Sequence, residues 1–157
     1  MTYNIHEYSD SHRTALLDML CTCFAQDYKL SLTRDQLERW CNTLINHAAA
    51  QIVFLDILTV DGVPHGFILY QIDSPKSDWC VKEGYGFIRE LYVTADYRNA
   101  GYGKALVSHA EHRLTQCGVP GIYLTTDMDE AMGFWARMGY SNTGEIYAEN
   151  NAPVFMK

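Results

Sequence analysis

Residues 85–126 limit the fold more than any other stretch. Residues 85–93 form an apolar and aromatic run that reads as a strand, residues 101–117 change to helical spacing with Leu106, Ala110, Leu114 and Cys117 on one face, and residues 121–126 read as a second strand. Gly118 supplies the stop at the end of the helix. A strand, a helix and a strand in this order predict a parallel pair joined by a right-handed crossover.

The remaining segments fit around that unit. Residues 2–8 predict a first strand, after which Ser9 or Asp10 can cap a helix carrying Leu16, Leu20, Cys23 and Phe24 on one stripe. Thr33 and Gln36 fit a capping box, and Leu37, Trp40, Cys41, Leu44, Ile45 and Ala48 then recur at helical spacing. Residues 51–60 are almost continuously apolar, Asp61-Gly62 suits a tight hairpin, and residues 65–72 return as the partner strand. Residues 73–84 show no period and predict a loop, long enough to be more often functional than idle. A short helix over 130–138 stopped by Gly139, and strands over 140–147 and 153–157 around a polar turn at 149–151, complete the chain. The expected fold is one α/β (α+β) domain over residues 1–157, with a mixed sheet of about seven strands flanked by four helices.

With 157 residues, 48% of them hydrophobic, the chain can bury a sizeable core, which excludes disorder. Twelve Lys and Arg against nineteen Asp and Glu give a net charge of −7, so a basic surface for nucleic acid is not expected. No apolar run approaches the roughly 20 residues of a membrane span, and the expected location is the cytoplasm. Cys21, Cys23, Cys41, Cys80 and Cys117 lack a Cys-x-x-Cys spacing and read as reduced thiols, four of the five in apolar stretches. His109 and His112 lack a third ligand and read as surface residues, so no metal is expected.

The chemistry points to residues 94–104, between the strand and the helix. Gly101 and Gly103 let the backbone curl closely round a ligand, and the unpaired amides at the start of the helix favour a phosphate or pyrophosphate. A P-loop would need Gly-Lys-Ser/Thr after four spacers, and the dinucleotide pattern Gly-x-Gly-x-x-Gly fails at Leu106.

Arg98-Asn99-Ala100-Gly101-Tyr102-Gly103 resembles the coenzyme loop of the GNAT family of N-acetyltransferases, Gln/Arg-x-x-Gly-x-Gly/Ala. Ile88-Arg89-Glu90-Leu91-Tyr92-Val93 resembles the strand that precedes it in that family, and Phe134-Trp135-Ala136-Arg137-Met138-Gly139-Tyr140 its short late helix. The resemblance implies a mostly antiparallel sheet with a splayed parallel pair, a single N-acetyltransferase domain, and acetyl-CoA as cosubstrate. The backbone of Leu91, Tyr92 and Val93 would meet the pantetheine arm. The amides of Arg98, Asn99, Ala100, Gly101, Tyr102, Gly103 and Lys104 would hold the pyrophosphate, and Phe134 and Trp135 would wall the thiol end. Ala95 stands where a Pro is common and Met128 where some relatives have Asn.

Transfer to an amine needs a base, because an alkylammonium of pKa near ~10.4 is almost wholly charged at pH 7. Regular alternation would place Ile88, Glu90 and Tyr92 on one face of the strand, and a carboxylate there is the natural base; the competing reading is an ion pair with a neighbouring Arg or Lys. Many relatives place a Tyr acid where Trp135 stands, so the thiolate leaves unaided or another phenol serves: Tyr92, Tyr140 or, as the named candidate, Tyr147. Asp73, Asp78, Glu83, Asp127, Asp129, Glu130, Glu145 and Glu149 are expected mostly to fringe the cleft, which suits a small cationic amine or a peptide amine; ordinary solubilising surface explains them equally well. A homodimer fits such a domain. The alternative function is an acyl-CoA-binding module or sensor without transferase activity.

Overall fold

Asp61 and Gly62 take φ of 49° and 81°, the left-handed pair that a two-residue hairpin requires. They join β2 (Phe54–Val60) to β3 (Val63–Ile72), which lie near the middle of the sheet. The computed structural model describes residues 2–157. The other strands are β1 (Tyr3–Glu7), β4 (Gly86–Val93), β5 (Ile122–Thr125), β6 (Ser141–Tyr147) and β7 (Ala152–Met156), and the helices are α1 (Arg13–Thr22), α2 (Arg34–Ala49), α3 (Tyr102–Gln116) and α4 (Asp129–Arg137). The strand order is β1-β2-β3-β4-β5-β7-β6. Every neighbouring pair is antiparallel except β4 and β5, the parallel pair bridged by α3.

Both faces of the sheet are covered. Leu58, Ile68 and Tyr70 meet Leu106, Ala110 and Leu114 of α3 and Trp135 of α4 on one face. Leu55, Ile57, Phe67 and Leu69 meet Leu16 and Leu20 of α1 and Cys41 and Leu44 of α2 on the other. At roughly 1.5–3 kcal/mol per fully buried large side chain, these two layers hold the platform that carries the site.

The capping box of α2 forms as read: Thr33 accepts from the Gln36 amide at 3.1 Å, and Gln36 from the Thr33 amide at 2.9 Å. Several expectations are corrected. Residues 10–12 form a 3₁₀ turn and Ser9 makes no side-chain cap bond, its hydroxyl meeting Ser11 instead, so α1 begins at Arg13. Gln51, at φ 60°, closes α2 with Ile52 donating to the His47 carbonyl, which delays β2 to Phe54. Cys23 and Cys41 are buried, but Cys80 and Cys117 are exposed. His109 is not a bare surface residue: its Nε2 lies 3.1 Å from the buried Asp56, which also accepts from Tyr70.

The loop over 73–84 is folded by Asp73, which is buried rather than set beside the cleft. Its carboxylate accepts from Gln71 Nε2 and the Val81 and Lys82 amides at 2.9–3.1 Å, and from the Tyr123 hydroxyl. A buried carboxylate needs donors, and the loop curls back to supply them. Among the described residues no helix is long and apolar enough to cross a membrane.

Candidate active site

β4 and β5 pair at only Gly86 with Ile122 and Phe87 with Tyr123. Beyond Phe87 the two strands separate, and among the described residues the edge of β4 turned away from β3 has no further strand partner. The gap belongs to a cleft of about 1540 Å³, with Leu91, Tyr92 and Val93 on one bank and Leu124 and Thr125 on the other.

The loop before α3 borders this cleft. Asn99 and Gly101 adopt φ of 61° and 88°, left-handed positions separated by one residue, and the first helical bond runs from Ala105 to the Gly101 carbonyl. Among the described residues, the amides of residues 99–104 donate to no protein acceptor. Such amides form an anion cradle at the positive end of a helix. Arg98 secures it with its side chain: Nε donates to the Val93 carbonyl at 2.7 Å, and Nη2 meets Asp27 at 2.9 Å. Asn99, Gly101, Gly103 and Lys104 also line the cleft, whereas Ala100 and Tyr102 do not, the Tyr102 ring being buried against Tyr3. Phe134 and Trp135 line the far wall, in edge-to-face contact with each other.

Glu90 reaches the cleft by way of a β-bulge. Leu69 of β3 lies opposite Glu90 and Tyr70 opposite Ile88, so Arg89 is an extra residue in β4. The expected face shared by Ile88, Glu90 and Tyr92 therefore does not exist. Ile88 packs on the α3 side, while Tyr92 packs with Phe67 on the α1 and α2 side, the side from which Tyr28 reaches Glu90. The Tyr28 hydroxyl donates to Glu90 Oε2. Burial raises the Glu90 carboxyl to about 7, against the lowering pull of the Tyr28 hydrogen bond and the Arg89 charge.

The sequence profile described as the acetyltransferase (GNAT) family matches residues 13–140. The chain belongs to that family. An uncharacterized N-acetyltransferase of Bacillus subtilis, YitI, is 29% identical over 75 residues, which cover 47% of this chain and 50% of that protein; the match thus spans about half the length of this curated relative. PaiA N-acetyltransferase from Thermoplasma acidophilum, solved in complex with coenzyme A, shares the fold with a TM-score of 0.76 at 15% identity, over 100% of this chain and 99% of that one. A GNAT acetyltransferase from Staphylococcus aureus gives 0.78 at 16% identity, over 99% and 98%.

In this GNAT chain the sequence reading missed the residues that meet Glu90 and Arg98 from outside β4. Tyr28 and Asp27 come from the end of a π-helical turn (Cys23–Asp27) that continues α1, closed by the Tyr28 amide on the Cys23 carbonyl at 3.0 Å. Phe24 and Tyr28 at i, i+4 were the only local signal, and they announce a helix face, not a partner for Glu90. Of the phenols considered as an acid, Tyr140 donates to Glu111 at 2.9 Å and Tyr147 packs on Trp79, and neither lines the cleft; Tyr92 does. Of the eight acidic residues expected mostly at its fringe, only Asp127 and Glu130 line it. Lys29, Arg89, Arg98, Lys104 and Arg137 line it as well, so the negative net charge resides elsewhere.

Proposed function

We propose that the chain is a single transferase domain over residues 1–157 that moves the acetyl group of acetyl-CoA to a primary amine by direct attack in a ternary complex. The observation that carries this reading is the Glu90 carboxyl in the same cleft as Asn99, Gly101, Gly103 and Lys104, whose amides are uncommitted; burial raises that carboxyl to about 7. The cradle and the open edge of β4 suit a pyrophosphate with an extended arm, and PaiA, of the same fold, binds coenzyme A.

Glu90 takes one proton from the ammonium, freeing the nitrogen to attack the thioester carbon. Backbone amides near Leu91 and Tyr92 polarise the carbonyl oxygen. The new carbon–nitrogen bond forms as the carbon–sulfur bond breaks, the leaving thiolate gains the second proton of the nitrogen, and Glu90 returns its proton to solvent. A thiol pKa near ~8.5 lets the sulfur leave without a dedicated acid, so Trp135 serves as a wall. The test is steady-state release of free thiol from acetyl-CoA with a panel of primary amines. Amine-dependent turnover is expected; binding of coenzyme A with no turnover for any amine would make the chain a binding module instead.

A further inference from the structure

Arg89 lines the cleft and is unused by the transfer chemistry. Consecutive residues of a regular strand face opposite ways, but the bulge lets both Arg89 and Glu90 reach the same cleft. The guanidinium is braced from behind. Nη1 donates to Gln71 Oε1 at 3.0 Å, and the buried Gln71 is fixed by donating to Asp73 Oδ1 at 2.9 Å and to the Trp79 carbonyl at 2.6 Å. Among the described residues Arg89 has no ion-pair partner within 4.0 Å, and the bond to Gln71 uses one of its five N–H donors. A half-buried, positioned guanidinium with donors to spare is a fork for a planar carboxylate.

The surroundings are apolar. Phe24, Tyr28 and Trp79 line the same cleft, together with Leu30 and Leu32, which are 49% and 42% exposed although large and apolar. Leucines left open at the rim of a cleft gain by covering an apolar group of the ligand.

We infer that the acceptor is an α-amino acid with a large apolar side chain, its amine at Glu90, its carboxylate on the Arg89 fork and its side chain against the wall that includes Phe24, Tyr28 and Leu30. This rests on the transferase reading above. Glu90 and Arg89 are adjacent in the bulge yet form no ion pair within 4.0 Å, so a ligand can present its amine to one and its carboxylate to the other. It replaces the cationic acceptor suggested by net charge with a zwitterion, which matches a cleft holding both signs.

The experiment compares kcat/KM, by thiol release from acetyl-CoA, for L-phenylalanine and L-leucine against phenylalaninamide, 2-phenylethylamine and isoamylamine. The carboxylates should be preferred by about 10- to 100-fold, the usual range for a charge-assisted hydrogen bond in a partly dry site. Arg89→Gln should collapse that ratio toward one, mainly through KM, and Arg89→Lys should restore part of it. Coenzyme A-induced thermal stabilisation of each variant reports an intact fold; if Arg89→Gln loses it, the wild-type ratio and Arg89→Lys decide. Equal turnover of acids and plain amines, or a preference that survives Arg89→Gln, overturns the inference and leaves the transferase standing. Thiol release with none of these compounds overturns it too, and failure with every other amine as well overturns the transferase reading with it.

Discussion

The two halves of the cleft are made of different material. Toward α3 the surface is largely backbone: the loop at Asn99, Gly101, Gly103 and Lys104 and the open edge of β4, shaped by left-handed Asn99 and Gly101. Toward α1 and α2 it is side chain, with Tyr28 from the π turn, Trp79 from the loop after β3, and Arg89 and Glu90 from the bulge. A backbone site recognises what every acyl-CoA shares, and it changes little when exposed side chains change. A side-chain site is set residue by residue, so it can carry acceptor choice.

Substitutions should separate the halves. The largest effect is expected on the chemistry: Glu90→Gln should lower kcat/KM by about 10²–10⁴, while stabilisation by coenzyme A in a thermal melt is retained. Loss of the coenzyme effect as well would mean that the halves are not separable. Next comes Gly103→Val. An added Cβ would meet the Phe134 ring at 3.6 Å, ordinary contact, so the chain should fold, yet the branched side chain crowds the amide cradle and should remove coenzyme-induced stabilisation. An unchanged thermal shift would take the ligand out of the loop.

A smaller effect is expected at Tyr28. Its hydroxyl donates to Glu90 and so favours the charged carboxylate, and Tyr28→Phe should move the Glu90 pKa above about 7. The acid limb of kcat/KM then shifts to higher pH, with a loss of roughly a few-fold at neutral pH; a limb that stays in place would uncouple the pair. The smallest change belongs to Trp135→Phe. A wall that transfers no proton should lose about 1 kcal/mol of packing and keep most of kcat, whereas a loss beyond ~100-fold with coenzyme affinity intact would make the indole N–H part of the chemistry.

The same division explains what the sequence could tell. The crossover of β4, α3 and β5 and the coenzyme loop are local: Gly101 needs its positive φ, the α3 pattern needs only its own neighbours, and both are visible in adjacent residues. The α2 capping box is legible for the same reason. The bulge is not, because the extra residue at Arg89 appears only when β4 is set against β3, and it reverses the face of Ile88 relative to Glu90. Tyr28 and Glu90 are 62 positions apart and Tyr123 and Asp73 are 50 apart, and no short-range pattern links either pair. Net charge sums the whole surface and says nothing of which charged residues line the cleft, where Lys29, Arg89, Arg98, Lys104 and Arg137 are found beside Asp27, Glu90, Asp127 and Glu130.

In the proposed transfer the Glu90 carboxylate accepts the amine proton from within the cleft. The most direct test is the pH dependence of kcat/KM for the wild type and Glu90→Gln, with an amine that turns over. Glu90 must be ionised to act, and its folded-state pKa of about 7 lies above the ordinary 4.5, so activity of the wild type should fall as pH drops through about 7. In Glu90→Gln that limb should be absent and the residual rate low. An unshifted limb and near-wild-type kcat/KM in the variant would contradict the claim and leave Glu90 as the structural partner of Tyr28 alone.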